Sequence, residues 1–569
     1  MPLITAGSPA WHLYVPKLYT VLRLGYGFED FRHDLVAGLT VAVVALPLAM
    51  ALAIASGTTP VKGLQTAIVA GFLISALGGS RVQIGGPTAA FIPVVFNVIE
   101  RFGYGGLLLC TLLAGLMLIV AGLLRLGTLM KYMPQPVITG FTAGIAVSIF
   151  LSQLKDLLGL RMAAVPAEFF ARLSAYAQHL ADFNAVAVSV AVACVVLIVV
   201  LRRYRPAWPG FLIVVGAAAL LCVVPGLPVE TIGSRFGGIP AELPHLAIPR
   251  IPFERTRELF PSSFTIAFLA GVESLLSAVV ADGMIGGRHR SNCELIAQGI
   301  ANVASALFGG LPATGALART ATSVRSGARS PVAGMLHALF LLVFMLVLAP
   351  WLRYIPLAAL AAVLLIVAWN MAEFASFKHL MQGPIGDRAV LLLTFGLTVM
   401  FDLTVAIEVG LVLAAFLFMH RMSEVVAIGS DVSLVDEDVD DFAGATQPSQ
   451  RKQLTAGVEV YQVAGPLFFA VANRLDDVLN QFPKPPRVFI LRMRLVPLID
   501  ASGVMAVRQL LQRCARGGTQ VILSGLREQP RSILLQMGIK PDGTSLRFAK
   551  DFEEAVRQAS GASPGAAPA

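Results

Sequence analysis

Residues Ala76 to Pro93 read ALGGSRVQIGGPTAAFIP, and residues Ala306 to Ala321 read ALFGGLPATGALARTA. Each sets glycines, a proline and polar residues into an otherwise apolar stretch. Pro87 and Pro312 lack a backbone N–H, and glycine tolerates extended or left-handed backbone. Backbone that leaves helical geometry inside lipid must be buried in protein or line a cavity. Each stretch is therefore expected to enter to mid-depth as extended chain and then to start a half-helix. The first half-helix should begin near Thr88 and the second near Ala316.

The lipid setting follows from composition. The chain has 569 residues, 56% of them hydrophobic and only 14% charged, with a mean hydropathy of +0.76. Soluble domains carry about 25% charged residues, so the expected class is a polytopic α-helical membrane protein. Runs compatible with a span of about 20 apolar residues lie near 36–55, 63–78, 105–124, 134–153, 184–201, 208–225, 264–282, 295–308, 331–350, 354–371, 388–402 and 404–420. Two shorter apolar segments, near 87–99 and 316–326, follow the Gly-rich stretches and bring the total to fourteen.

The bias of Lys and Arg toward cytoplasmic loops tests that count. With the N-terminus (Lys17, Arg23, Arg32) inside, the inner loops hold Arg81; Arg125 and Lys131; Arg202, Arg203 and Arg205; Arg288 and Arg290; Arg325 and Arg329; and Lys378 and Arg388. Dropping either short segment would invert every later loop. Both termini are thus expected in the cytoplasm of a multi-pass protein of the cytoplasmic (inner) membrane. The net charge of +9 is read as these inner loops and not as a nucleic-acid surface.

The segments divide seven plus seven about the mixed loop 226–262. An odd number of crossings per half gives the halves opposite orientations, an inverted repeat with a broken third segment in each. Interrupted segments at matching positions mark the substrate site in transporters of this kind. The half-helix N-termini should face each other, each offering free N–H groups and about half a positive charge. That makes an anion site. Arg319, in the first turn of the second half-helix, adds a full charge or pairs with a nearby acid. An ionisable residue costs about 3 kcal/mol at mid-depth. Glu273, in LAGVESLLSAVV with Ser277 one turn on, is thus the foremost candidate to carry a proton, hold Na⁺ or balance Arg319. Asp402 and Glu408 are read as interfacial capping and packing residues, and Asp282 as the cytoplasmic end of its helix.

From Ser423 to Arg557 the sequence reads as ordinary soluble protein in a β-α-β-α order, a small sheet covered by helices. The domains are expected as a cytoplasmic N-terminal segment 1–33, a transmembrane transport domain 34–422, a linker 423–452, a soluble domain 453–560 and a disordered tail 561–569. Within LIDASG, Asp500 and Ser502 sit at a helix start. Asp500 suits an N-cap, and Ser502 is a candidate phosphorylation site on a regulatory domain. The five cysteines and eight histidines show no ligand or redox spacing. Neither a metal nor another cofactor is expected, and no nucleophile or base constellation suggests an enzyme.

The chain resembles the SulP anion transporters (solute carrier family 26). The resemblance rests on DLVAGLTVAVVALPLAMALAIASG, GGPTAAF, the stretch from GVESLLSAVVADGMIGG through ALFGGLPATGALARTA, and the LIDASG turn of a STAS domain. ALPLAMALAIASG, SQLKDLLGL and VAWNMAE look most like the C4-dicarboxylate branch. The resemblance implies core and gate subdomains, elevator-like alternating access and a homodimer. It implies a substrate site between segments 1, 3, 8 and 10. Carried over, that site comprises Gly86, Pro87, Thr88 and Ala89, then Ala316, Leu317, Ala318 and Arg319, with Leu48 and Leu52 on the first segment. Leu48 and Leu52 stand where many members carry Gln and an aromatic, so this side is less polar. Glu273 matches an acidic coupling position.

The expected function is secondary active transport of sulfate-like inorganic anions or C4-dicarboxylates, coupled to H⁺. Na⁺-coupled bicarbonate symport or an anion channel of the same family is the alternative. A nucleobase transporter shares the architecture but is disfavoured by the STAS-like tail. A membrane-anchored regulator with a cytoplasmic protein partner at the soluble domain is a rival of another class.

Overall fold

In the computed structural model, the described residues are 13–128, 134–162, 165–166, 168–205, 208–223, 228–246, 253–401, 403–425, 427–429, 457–467 and 485–561. Asp402, Lys131, residues 1–12, most of the expected linker and all but the first residue of the expected tail lie outside them. The chain forms two compact units, 1–414 and 415–569.

The first unit opens with a short helix α1 (Lys17–Leu24), followed by α2 (Phe28–Ala55) and α3 (Pro60–Leu77). A two-residue strand β1 (Gly85–Gly86) precedes α4 (Ile92–Leu123). Next come α5 (Gln135–Leu158), α6 (Phe169–His179), α7 (Ala185–Tyr204), α8 (Gly210–Leu221) and α9 (Ile232–Phe236). The second half repeats the order with α10 (Thr256–Ile285), α11 (Ser291–Leu307), strand β2 (Thr314–Gly315), α12 (Leu317–Arg325), α13 (Val332–Leu352), α14 (Leu357–Met371), α15 (Phe374–Leu380), α16 (Ile385–Met400) and α17 (Leu403–Val425).

All fourteen expected segments are present. Eight helices among the described residues are long and apolar enough to cross a membrane. The expected segments 87–99 and 105–124 run together as α4, but Gly103, at φ +72°, breaks the helical geometry between them. Helix α6 was not expected. It is amphipathic, with only Tyr176 fully buried, so it lacks the continuous apolar run by which the spans were found.

The packing carries the repeat. Helix α4 packs on α11 and α3 on α13; α2 packs on α13 and α10 on α4; α5 packs on α16 and α7 on α14. Advancing each segment by seven places, wrapping from fourteen back to one, turns each of these pairings into its partner, as a two-fold inverted repeat requires. The pairings also form two bundles. One holds α2, α3, α4, α10, α11 and α13, and the other α5, α7, α14 and α16. At the α4–α11 crossing the backbones nearly touch. A Cβ on Gly115 would lie 2.7 Å from the Gly299 carbonyl oxygen, and one on Gly299 would lie 2.5 Å from that of Gly115. Small residues permit such close approach in lipid, where packing replaces the hydrophobic drive.

The second unit is an α/β sandwich. Its strands are β3 (Ala427–Gly429), β4 (Val458–Ala464), β5 (Val488–Leu495), β6 (Gln520–Ser524) and β7 (Leu546–Ala549), in that spatial order. Strand β3 is antiparallel and the rest are parallel. Helices α18 (Ala501–Arg516), α19 (Glu528–Gln536) and α20 (Phe552–Ala559) cover it. Phe489, Leu491, Val504, Val507, Leu510 and Leu523 fill one side, and Ile490, Ile522 and Ala555 the other. The β-α-β-α reading is extended by β3, β7 and α20.

Candidate functional site

The two interrupted stretches meet. Strand β1 pairs antiparallel with β2, Gly85 opposite Gly315 and Gly86 opposite Thr314. The Ala316 N–H adds a bond to the Ile84 carbonyl at 2.8 Å. At φ +145°, Gly86 adopts backbone that side chains rarely allow, and a Cβ there would stand 2.5 Å from an Arg319 guanidinium nitrogen. Only glycine fits both demands.

Each strand hands over to a helix. Thr88, in extended conformation, caps a 3₁₀ turn Ala89–Phe91 that leads into α4, and Ala316 caps α12. These are the expected starting points. No side chain caps either end, so the first-turn N–H groups stay open to a ligand. The half-helices leave toward opposite faces. The first runs toward the face where α2 ends, since Ala55, Gly57 and Pro93 line one cavity. The second runs toward the face where α2 begins, since Arg329, just beyond α12, pairs with Glu29 and Asp30.

Helix α10 supplies the acid. Glu273 is partly exposed and its Oε2 accepts the Thr88 hydroxyl at 2.9 Å. Ser277, one turn on, donates to Thr320 Oγ1 at 3.1 Å, which also accepts the Ile84 N–H at 3.1 Å. Arg319 is 3% exposed. Its guanidinium donates to the carbonyls of Gly85 (3.5 Å) and Pro87. It thus grips the strand that leads to the first half-helix, rather than an acid, and its charge lies beside the site. Gly86, Pro87, Thr88, Ala89 and Ala316 are buried, Leu317 is partly buried and Ala318 is exposed. Leu48 and Leu52, on α2 just past Pro47, are buried.

A cavity of about 390 Å³ begins at Ile92 and Pro93 and opens between the half-helix and the second bundle. Lys155, Arg172 and Arg235 line it with Glu100 and Asp156. Arg235 pairs with Asp156 at 2.8 Å, and the Arg172 guanidinium stands 5.6 Å from the Phe96 ring centre.

Several supporting residues were not singled out from sequence. Glu294, fully buried at the start of α11, accepts the N–H groups of Gly79 (2.8 Å) and Ser80 (3.1 Å) and the Gln298 amide (2.8 Å). It fixes the loop that opens the first interrupted stretch. Asn302 bonds both the N–H (2.9 Å) and the carbonyl (2.8 Å) of Ala313, just before β2. Thr314 Oγ1 donates to the Ala270 carbonyl at 2.8 Å. In sequence the only signal was a polar residue within an apolar run.

Asp500 caps α18, its carboxylate accepting the Gly503 N–H at 2.7 Å, and Ser502, partly buried, sits in the first turn. Glu408 is exposed.

Two half-helices that start uncapped from paired strands, within an inverted repeat of fourteen segments, define a membrane transporter of small solutes. The sequence profile of the sulfate permease family matches residues 31–394, and that of the STAS domain residues 450–555. The chain belongs to the sulfate permease family, a family of transporters and not of enzymes, and carries a C-terminal STAS domain. It is 41% identical over 518 residues to "Putative sulfate transporter YvdB" of Bacillus subtilis, covering 90% of this chain and 95% of that one. It is 29% identical over 524 residues to the bicarbonate transporter BicA of Synechocystis, covering 90% and 91%. Among solved structures, murine Slc26a9 in the inward-facing state superposes with a TM-score of 0.85 over 99% of this chain and 96% of that one, at 19% identity, a likeness of fold. The transmembrane domain of a cyanobacterial BicA superposes with a TM-score of 0.62 at 28% identity, over 67% of this chain and 98% of that one.

Proposed function

We propose that the protein is a secondary active transporter of small inorganic oxyanions of the sulfate and bicarbonate class, coupled to H⁺ through Glu273. The observation that carries this is the junction of β1 and β2, which brings two uncapped helix starts together beside a partly exposed carboxylate. Open N–H groups and helix dipoles attract an anion. A carboxylate at the same place repels it when ionised and accepts a proton when it arrives, which couples the two.

The binding residues in this reading are Gly86 to Ala89 and Ala316 to Leu317, with Arg319 as clamp and field, Ser277 in support, and Leu48 and Leu52 as the apolar wall. The relatives named for sulfate and bicarbonate favour a compact oxyanion over a C4-dicarboxylate. The bundle holding the site would move against the other by elevator-like alternating access, in a homodimer. The termini, with the STAS domain 453–560, lie on the cytoplasmic side of the inner membrane. There Ser502, beside the Asp500 cap, offers a phosphorylation site to a partner kinase.

Purified protein in proteoliposomes tests the reading with labelled sulfate, bicarbonate and succinate, with and without pH or Na⁺ gradients. Saturable sulfate or bicarbonate uptake driven by an inward H⁺ gradient is expected. Acceleration by Na⁺ alone would reassign the coupling ion. Non-saturating, voltage-driven flux would make the protein a channel, and succinate as the preferred substrate would overturn the oxyanion class.

A further inference from the structure

A second cationic site lies at the opposite end of the first unit from the 390 Å³ cavity, where α2 begins. A cavity of about 140 Å³ there is lined by Lys17 and Thr20 of α1, Tyr26, Asp30, Arg81 and Arg329. Four separate pieces of chain therefore build its wall: α1, the start of α2, the loop after α3 and the loop after α12.

The charges are not balanced. Arg329 is satisfied by Glu29 and Asp30, each at 3.0 Å. Arg81 donates through Nε to the Arg329 carbonyl at 2.7 Å, and its outer nitrogens meet no acceptor among the described residues. Lys17 Nζ likewise has no acceptor among them. Burial and then the nearby Arg290 hold its ammonium below the usual lysine range, partly offset by Asp282. The three cations Lys17, Arg81 and Arg329 thus outnumber the two carboxylates Glu29 and Asp30 by one, and a hydroxyl, Thr20, stands beside them. That donor set suits the non-bridging oxygens of a phosphate.

The surroundings favour a lipid as its source. Helix α1 is fixed to the unit, not trailing from it: Lys17 N–H bonds the Gly78 carbonyl at 2.9 Å, and Arg290 donates to Val15 O (2.6 Å) and Thr20 Oγ1 (3.0 Å). Yet Tyr19 and Leu22 of α1 are exposed, as are Leu24 at the pocket rim and Phe28 at the start of α2, Leu24 82% and Phe28 77%. An amphipathic helix with apolar residues exposed and cations beneath suits the headgroup boundary of a bilayer. Basic pockets at helix ends take anionic headgroups there.

We propose that this pocket binds the phosphate of an anionic lipid headgroup, holding α1 against the transport unit at the membrane surface. The inference needs only the membrane setting, so it stands or falls separately from the substrate assignment.

Full-length protein stripped of lipid in neutral detergent is the test. Thermal unfolding is followed after adding phosphatidylglycerol, phosphatidylcholine or millimolar inorganic phosphate, and lipid retention is read by native mass spectrometry. Phosphatidylglycerol is expected to raise the midpoint by several degrees and to be retained, with phosphatidylcholine and inorganic phosphate well behind. The combined substitution Lys17→Gln and Arg81→Gln should lose most of that rise, and Arg23→Gln, on the same helix but outside the pocket, should keep it. Equal rises from the two lipids overturn the proposal, as does an undiminished rise in the double variant. An equal rise from inorganic phosphate overturns the lipid assignment. If the double variant gives no cooperative transition, the wild-type comparison of the two lipids and the Thr20→Val variant decide.

Discussion

The Thr88 hydroxyl donates to Glu273 Oε2 across 2.9 Å, tying the start of the first half-helix to α10, 185 residues away. The two groups belong to different halves of the repeat. Any change in the protonation of Glu273 therefore acts directly on the residue that begins the half-helix.

The first prediction concerns that bond. Glu273→Gln keeps an acceptor for Thr88 but cannot exchange a proton. Uptake driven by an inward H⁺ gradient should fall to the rate seen without a gradient, while exchange of labelled for unlabelled anion at equal pH persists. Thr88→Val loses a hydrogen bond to a charged group, worth about 1.5–3 kcal/mol, and should slow both modes. Normal gradient-driven uptake by Glu273→Gln would remove Glu273 from coupling.

Arg319 yields the second. Its guanidinium bridges the Gly85 and Pro87 carbonyls, a span that a lysine ammonium cannot reproduce with the same geometry. Arg319→Lys should therefore lose at least about tenfold in uptake, since 1.4 kcal/mol of lost bonding already shifts an equilibrium that far. Arg319→Gln should lose as much. Radiolabelled uptake at matched protein levels checks this; a lysine variant with full activity would show that charge alone matters.

How far the sequence revealed this site follows from the reach of each signal. The half-helix starts were legible because Gly and Pro act locally: Thr88 and Ala316 are the caps that Gly86–Pro87 and Thr314–Gly315 imply. The count of fourteen was legible because lipid imposes long apolar runs and loop charge fixes their parity. The partners of the charged residues were not. Arg319 was expected to add charge to the anion site or to meet an acid, and it holds the carbonyls of Gly85, in a strand of only two residues, and of Pro87 just after it. Glu294 binds Gly79 and Ser80 more than 200 residues away, and no local pattern marks such a pair. Helix α6 and strand β7 were missed because each is short, eleven and four residues, and its apolar run is broken by polar residues.

Asn302 carries the third prediction. It is fully buried, and its side chain bonds both backbone groups of Ala313. Asn302→Ala strands an N–H and a carbonyl where water does not reach, at a cost of about 2–4 kcal/mol. The detergent-solubilised variant should unfold several degrees lower and transport poorly, because β2 follows directly. Asn302→Asp keeps the acceptor for the Ala313 N–H but loses the donor to its carbonyl, and should behave no better. An unchanged melting curve for the alanine variant would mean that β2 is held by its pairing with β1 and the Thr314–Ala270 bond without help from Asn302.

The STAS domain supplies the last, through Asp542 in the turn before β7. Its carboxylate accepts the N–H groups of Thr544 (2.9 Å), Ser545 (2.8 Å) and Leu546 (2.8 Å), and the Ser545 hydroxyl. These donors, the Leu546 N–H first and the Ser545 hydroxyl next, hold the carboxyl well below the usual aspartate range. A group whose pKa is depressed on folding contributes stability above its unfolded value, about 3.9, and loses it as pH falls toward the folded one. Asp542→Asn should therefore lower the thermal midpoint of the soluble domain at neutral pH, with the gap to wild type constant down to about pH 5 and narrowing below about pH 4. A gap that stays constant into strong acid would assign the effect to the shape of the turn and not to the charge.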